Sequence, residues 1–324
     1  MEAVEAYRQV PIDGYYINTT EYRNIAKKYR AIYQIVYQNF HLNSIKEFQA
    51  ITQEQAQQFD QIRKANMEDM MESASISDNM KAYWQKCFDK SPKALLYEYI
   101  DGYSYFTFII FYSAISAGAA IAIMFSSIFS NEYASGADSL ILSSKHGRGL
   151  VIGAKLFTMF VVSTILIFLL IAINYVEAMI IWGGGGANAN ITLLGNIFPY
   201  SLTVGQSVLL YLICVVMACL LFAAITAMLS AIIKAPFNTI VIMSVFLIAP
   251  MFINVPSGAP IWALNLENLL PTNMMAFWGA LYEYQYEIFG LVIPPYIFLP
   301  IFSVIVSVVC SYAAYLGFKK HQSD

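Results

Sequence analysis

Charge is scarce in this sequence: 12% of its 324 residues are Asp, Glu, Lys or Arg, against about 25% in an ordinary soluble domain. No basic patch of the kind that binds nucleic acid is present, so nucleic acid is excluded as a partner. Cysteine is scarce as well. Cys214, Cys219 and Cys310 lie in apolar runs, where cysteine behaves as a small hydrophobe. Cys87 is alone in the polar part of the chain, so no disulfide framework forms there, and the four show no metal-ligand spacing.

Catalytic patterns are missing too. There is no HExxH zinc motif and no pair of aspartates inside the apolar runs. His41 and His321 lie outside those runs, and His146 is in a loop. No Ser/His/Asp or Ser/Lys set is suggested by position, and no GxxxxGK[ST] exists to bind ATP through a P-loop. The "GGGG" at 183–186 lacks the lysine and the following helix, and reads as a flexible outer loop. These absences leave the chain with no catalytic centre and no cofactor site of its own.

What is present divides sharply. Residues 1–101 carry twelve of the eighteen Lys and Arg and fourteen of the twenty-one Asp and Glu. The rest is nearly uncharged. About 20 apolar residues cross a bilayer as a helix, and five segments qualify: about 104–128, 150–173, 207–233, 237–256 and 296–318. "KAPF" splits the third from the fourth, with Pro236 ending one helix and starting the next because it lacks an N–H and fixes φ. Pro294, Pro295 and Pro300 argue for an interrupted start to the fifth.

Lys and Arg in the short loops set the orientation. Loop 129–149 carries Lys145 and Arg148, with Lys155 just beyond it; the hairpin carries Lys234 and the tail Lys319 and Lys320. Loops 174–206 and 257–295 carry none. The charged loop, the hairpin and the C-terminal tail (319–324) are therefore expected in the cytoplasm of a bacterial plasma-membrane protein. Residues 1–103 then stand outside, although "MEAVEAYRQV" has no signal sequence. An additional upstream helix is expected to carry them across, giving six spans in the full-length protein.

The fold class is accordingly an all-α membrane protein: a polytopic helical bundle with five transmembrane helices in this chain and an N-terminal helical extracytoplasmic domain over 1–103. In that domain, Ile25, Tyr29, Ile32, Tyr33, Val36 and Phe40 share one apolar face of a helix. Ser44 and Glu47 offer a capping box for a second helix, and "SDNMKAYWQKCF" reads as a third. Tyr97, Tyr99, Tyr103 and Tyr105 sit where interfacial aromatics are expected. The sequons at Asn18 and Asn190 are discounted as chance matches. Glu177 is expected at headgroup level at the outer end of the second span, where a charge costs less than the roughly 2.5–3.5 kcal/mol of the bilayer centre. Segment 257–295 reads either as short re-entrant helices, which protein must cover, or as helices lying flat on the membrane.

Of the ten charged residues between Ser104 and Phe318, five fall within 131–155. Glu132, Gly136, Leu142-Ser143-Ser144-Lys145, Gly147-Arg148 and Lys155 follow one another as E-x3-G-x5-L-[ST]-[ST]-K-x-G-R-x6-K between two spans. This resembles the first cytoplasmic loop of ABC type-2 exporter permeases, and "LENLLPTNMM" is similar to the segment before that family's last helix. Relatives carry a proline before the arginine, where this chain has Lys145-His146-Gly147.

The resemblance covers about 100–318 and implies the transmembrane domain (104–318) of an ABC exporter. It implies as partners two ABC ATPase subunits, a second permease chain and the lipid bilayer, with ATP and Mg held by the ATPase rather than by this chain. Loop 129–149 would act as the coupling helix, with Glu132, Gly136, Asp138, Leu142, Ser143, Lys145, Gly147, Arg148 and Lys155 as its functional residues. Residues 137–145 would form the docking surface, and Glu132 a polar pivot paired with Arg148 or Lys155. Wholly helical, nineteen residues of this stretch would extend about 28 Å, with Gly136 allowing a bend. Two alternatives stand beside this one. Lys145, Arg148 and Lys155 can be plain positive-inside anchors, and the protein can be a membrane-anchored binding or assembly protein working through its outer head. The resemblance leaves the substrate open.

Overall fold

A computed structural model describes residues 1–9, 20–73, 76–91, 97–136, 147–194, 200–233, 235–253, 255–256, 259–281 and 284–319. The chain divides into two compact units. One comprises Met1–Tyr105, Ala178–Val208 and Phe289–Val292; the other comprises Phe106–Glu177, Leu209–Ile288 and Ile293–Asp324.

The first unit begins with α1 (Glu2–Arg8), α2 (Thr20–Asn39), α3 (Ile45–Ala50), α4 (Gln53–Gln57), α5 (Phe59–Ser73) and α6 (Asp78–Lys90). The amphipathic helix expected after residue 20 is α2. Tyr29 is buried on it, and Ile25, Ile32, Tyr33 and Val36 pack around a core of Ala3, Val4, Tyr7, Phe48 and Ile51. Tyr7 stacks on Tyr33 at 5.3 Å, and both rings meet Phe48 edge-on. Arg8 donates to the carbonyls of Gln49 and Ile51 at the end of α3, satisfying acceptors that the helix leaves open.

Caps define the short helices. Ser44 accepts from the Glu47 N–H, but the Glu47 carboxylate reaches back to the N–H of Asn43 rather than to that of Ser44. The complete capping box lies one helix later, between Thr52 and Gln55. Ser77 caps α6, the expected third helix, on which Trp84 is fully buried. Helix α5 has no strong apolar stripe in sequence, and buries Met67 and Met71 one turn apart.

The "GGGG" segment is not a slack loop. A Cβ on Gly102 would come within 2.0 Å of the Gly183 carbonyl oxygen, and one on Gly186 within 2.6 Å of the Tyr99 carbonyl oxygen. Gly183 and Gly186 both have positive φ, so glycine is needed for conformation as well as for space. The following turn is also tied down. Asn190 is buried, and its Oδ1 accepts from the N–H and the hydroxyl of Thr192, which turns this sequon inward.

Among the described residues, four helices are long and apolar enough to cross a membrane. These are α7 (Asp101–Phe125), extended by a turn and α8 (Ser130–Ser135); α9 (Ile152–Trp182), preceded by a π-turn at Gly147–Val151; α10 (Val204–Ile232); and α15 (Pro295–Lys319). Helix α9 runs nine residues past the expected end at 173, so Glu177 lies within the helix. The expected fourth span is shorter than twenty residues. It forms α11 (Pro236–Ile248), 13 residues with Pro236 in the first turn, and tightens into a four-residue 3₁₀ turn at Ala249–Phe252. Pro250 lacks the N–H that another α-turn would use.

Within the second unit, the part of segment 257–295 up to Ile288 packs on the ends of these helices. The segment's described residues form α12 (Ile261–Glu267), α13 (Pro271–Met274), α14 (Phe277–Ala280) and a hairpin of β1 (Tyr286–Ile288) and β2 (Leu291–Ile293). The Thr272 hydroxyl donates to the Leu247 carbonyl, one of the open acceptors at the end of α11, at 2.7 Å. The Tyr211 hydroxyl of α10 donates to the Met275 carbonyl at 2.8 Å, and Asn268 donates to the Gly279 carbonyl at 2.9 Å. These bonds satisfy part of the irregular backbone from within the protein, while Trp262, Leu266 and Trp278 stay exposed. The hairpin turns at Phe289 and Gly290, both at positive φ, and α15 starts only at Pro295.

Helix α10 is the most enclosed of the four, with 56% of its apolar window buried against 17% for α9. Its buried residues include the small side chains Ala218, Ala223, Ala224 and Ala227 beside the larger Tyr211 and Phe222. Small side chains let helices approach closely, and in an apolar medium close packing rather than water release holds them together.

Candidate functional site

The charged loop leaves α7 through a turn built on two serines. Ser130 donates its hydroxyl hydrogen to the Ser126 carbonyl at 2.8 Å, curling residues 126–130 into the start of α8. The first amides of a helix have no partner within it, and α8 has no side-chain cap of its own. Ser230, in the last turn of α10, supplies one instead. Its oxygen accepts from the N–H groups of Phe129 at 3.1 Å and Ser130 at 3.3 Å, while its hydrogen goes to the Ser126 carbonyl at 2.7 Å. One hydroxyl therefore uses its donor and both lone pairs.

The exchange runs both ways. The Tyr133 hydroxyl of α8 donates to the Ala231 carbonyl at 2.9 Å, satisfying an open acceptor at the end of α10. Phe318, in the last turn of α15, completes the contact. Its ring meets Phe129 at 5.1 Å and stacks on Tyr133 at 5.5 Å. Phe129, Ser130, Ser230 and Phe318 are fully buried.

Lys155 carries the electrostatics. It sits in the first turn of α9, where the helix dipole disfavours a cation. Three contacts offset that: an ion pair with the Glu132 carboxylate, a 2.6 Å hydrogen bond to the Ile128 carbonyl, and the face of the Phe129 ring 5.4 Å away. The pair is largely sheltered, with 25% of the Lys155 side chain and 16% of the Glu132 side chain exposed. Oxygen Oε2 of Glu132 is buried without a hydrogen-bond partner among the described residues.

Gly136 ends α8 in the left-handed conformation, φ 67°, with its N–H on the Tyr133 carbonyl. A Cβ there would meet nothing within 4 Å, so backbone conformation alone calls for glycine. The left-handed turn also rules out one continuous helix through the loop. Asp138, Leu142, Ser143 and Lys145 lie outside the described residues, as do Ala137, Leu140 and Ile141. Gly147 and Arg148 lie in the π-turn that leads into α9, a local form often found at functional sites.

Of the nine loop positions read from sequence, the described structure brings Glu132 and Lys155 together and gives Gly136 its conformational reason. Ser126, Phe129, Ser130, Tyr133, Ser230 and Phe318 join them without having been singled out. A serine or phenylalanine in an apolar run carries no local signal, and their separations of about a hundred residues appear only on folding. The result is a joint in which α8 is held against the ends of α9, α10 and α15. Among the described residues, no three His, Cys, Asp or Glu side chains gather as a metal site requires.

A family model described as ABC-2 family transporter protein matches residues 2–313. No curated protein and no solved structure matches the chain.

Proposed function

Because the chain belongs to the ABC-2 family of transporter proteins, we propose that it is the transmembrane permease subunit of an ATP-driven exporter. The family assignment makes it a multi-pass membrane subunit of an ABC transporter. The export direction, the coupling route and the cargo are our reading.

The joint between α8 and the ends of α9, α10 and α15 is the observation that carries it. A loop serving only as a topological anchor needs basic residues facing the cytoplasm. It needs neither a shared cap at Ser230 nor a sheltered Glu132–Lys155 pair. In our reading a separate ATPase subunit docks on loop 129–149, through residues 137–145, and holds ATP and Mg. Gly147 and Arg148 lead its motion into α9, and Ser230 and Tyr133 lead it into α10.

The distribution of Lys and Arg supports a cytoplasmic loop, hairpin and C-terminus, with the N-terminal helical domain outside a bacterial plasma membrane. A second permease chain, identical or related, would complete the pathway. The uncharged spans suit a hydrophobic or amphipathic cargo.

Purification from native membranes in mild detergent tests this reading. An ATPase subunit bearing a P-loop is expected to remain bound, and deletion of 137–145 is expected to release it. Recovery of the membrane protein without any ATPase overturns the proposal. Full activity after the deletion would instead favour a binding or assembly protein working through its head.

A further inference from the structure

The first unit contains a cavity of about 460 Å³. Volumes of about 300–1,000 Å³ are typical of small-molecule sites, whereas close-packed interiors keep few voids larger than a water molecule. The wall comes from α1, α2, α4, α5, Tyr97 and Leu193. Val4, Ile32, Ile35, Val36, Phe40 and Phe59 make most of it apolar.

Two acids, Glu2 and Asp60, stand on the same wall, and no Lys, Arg or His side chain lines it. Each acid uses one oxygen on partners within the fold. Glu2 Oε1 accepts from Lys28 at 3.2 Å and from the Tyr29 hydroxyl at 2.5 Å, and Asp60 Oδ1 accepts from Arg63 at 3.0 Å. Neither Glu2 Oε2 nor Asp60 Oδ2 accepts a hydrogen bond among the described residues. The rings of Tyr29 and Tyr97, stacked 6.1 Å apart, also belong to the wall.

We propose that this cavity binds a cationic amphiphile, its apolar chain against Val4, Ile35 and Phe40 and its ammonium on the open oxygens of Glu2 and Asp60. An ammonium carries three donors and no acceptor, and bonds to a carboxylate more strongly than a neutral donor does. An anionic amphiphile would face the same two carboxylates, and the Lys28 and Arg63 groups beside them are already engaged in ion pairs. This assignment names a cargo class for the export reading, and rests on that reading only for the route by which the ligand arrives.

Photo-crosslinking tests it, with a diazirine-bearing dodecylamine and the full chain in lipid nanodiscs, without ATP or ATPase. Labelled peptides are expected from α1, α2 and α5. Dodecylamine should displace the label severalfold better than dodecanol, and dodecanoate should not displace it. Ala56→Phe, which fills the cavity from its wall, should abolish the head label and leave the labelling of the spans unchanged. Glu2→Gln removes the charge while keeping an acceptor for the Tyr29 hydroxyl, and should narrow the preference for amine over alcohol. Label confined to the spans, label indifferent to both variants, or equal competition by the three compounds overturns the proposal. With no ATPase in the assay, that failure would leave the exporter reading standing.

Discussion

Glu132 and Lys155 lie 23 residues apart in the chain and form a sheltered ion pair, the carboxylate on α8 and the ammonium in the first turn of α9. Lys155 also holds the Ile128 carbonyl, so the pair closes the charged loop at its base. Removing one partner strands the other in a partly desolvated place. Lys155→Met and Glu132→Gln should each lower stability by roughly 1–3 kcal/mol, and the double variant by less than the sum of the two. A double-mutant cycle on unfolding in detergent measures the difference, and additive losses would mean that the pair does not couple.

Ser230→Ala removes the oxygen that receives the Phe129 and Ser130 amides. Loss of a helix cap costs about 0.5–2 kcal/mol, and here that loss is local to the joint. Hydrogen exchange across 126–136 should quicken severalfold while exchange in α2 stays unchanged. Within an ATPase-bound complex, the same variant is expected to hydrolyse ATP with weakened coupling to transport.

Two glycine substitutions should act in opposite directions. Gly102→Ala places a methyl group 2.0 Å from the Gly183 carbonyl oxygen, where backbone rather than a side-chain tip must move, and should destabilise by about 1–3 kcal/mol. Gly153→Ala, in α9 with nothing within 4 Å of the new methyl, should stabilise by up to about 1 kcal/mol through helix propensity. Thermal unfolding of the two variants side by side checks both signs.

Acid should loosen α1 from α2. The Tyr29 hydroxyl, and then Lys28, hold the Glu2 carboxyl below its ordinary range. A lowered folded-state pKa gives stability that is present above the unfolded value and lost as pH falls through the folded one. Hydrogen exchange in α1 should therefore rise as the medium is taken below the usual glutamate range. Glu2→Gln should remove the part of that rise which Glu2 contributes.

Much of the architecture is legible along the chain because crossing a bilayer is a local demand. About twenty apolar residues suffice, and counting them places α7, α9, α10 and α15 without any knowledge of their neighbours. The caps at Ser44 and Ser77 are readable for the same reason, since donor and acceptor lie three residues apart. Helix α5 escapes because its apolar positions form no strong stripe. The shortness of α11 escapes because a proline near the end of an apolar run does not reveal whether the helix yields there.

The sequence by itself determined the membrane class, four of the five expected spans and the concentration of charge in one loop, together with the family that the loop's residues resemble. Each is a property of consecutive side chains and of their solubility in water or hydrocarbon. Tertiary structure alone decided that Ser230 caps α8, that Lys155 pairs with Glu132, that Gly102 meets Gly183, and that the N-terminal unit keeps a cavity with two acids on its wall. Those relations depend on distances between groups far apart in the chain. Hydrogen-bond geometry and close packing fix such distances only when the whole fold is in place.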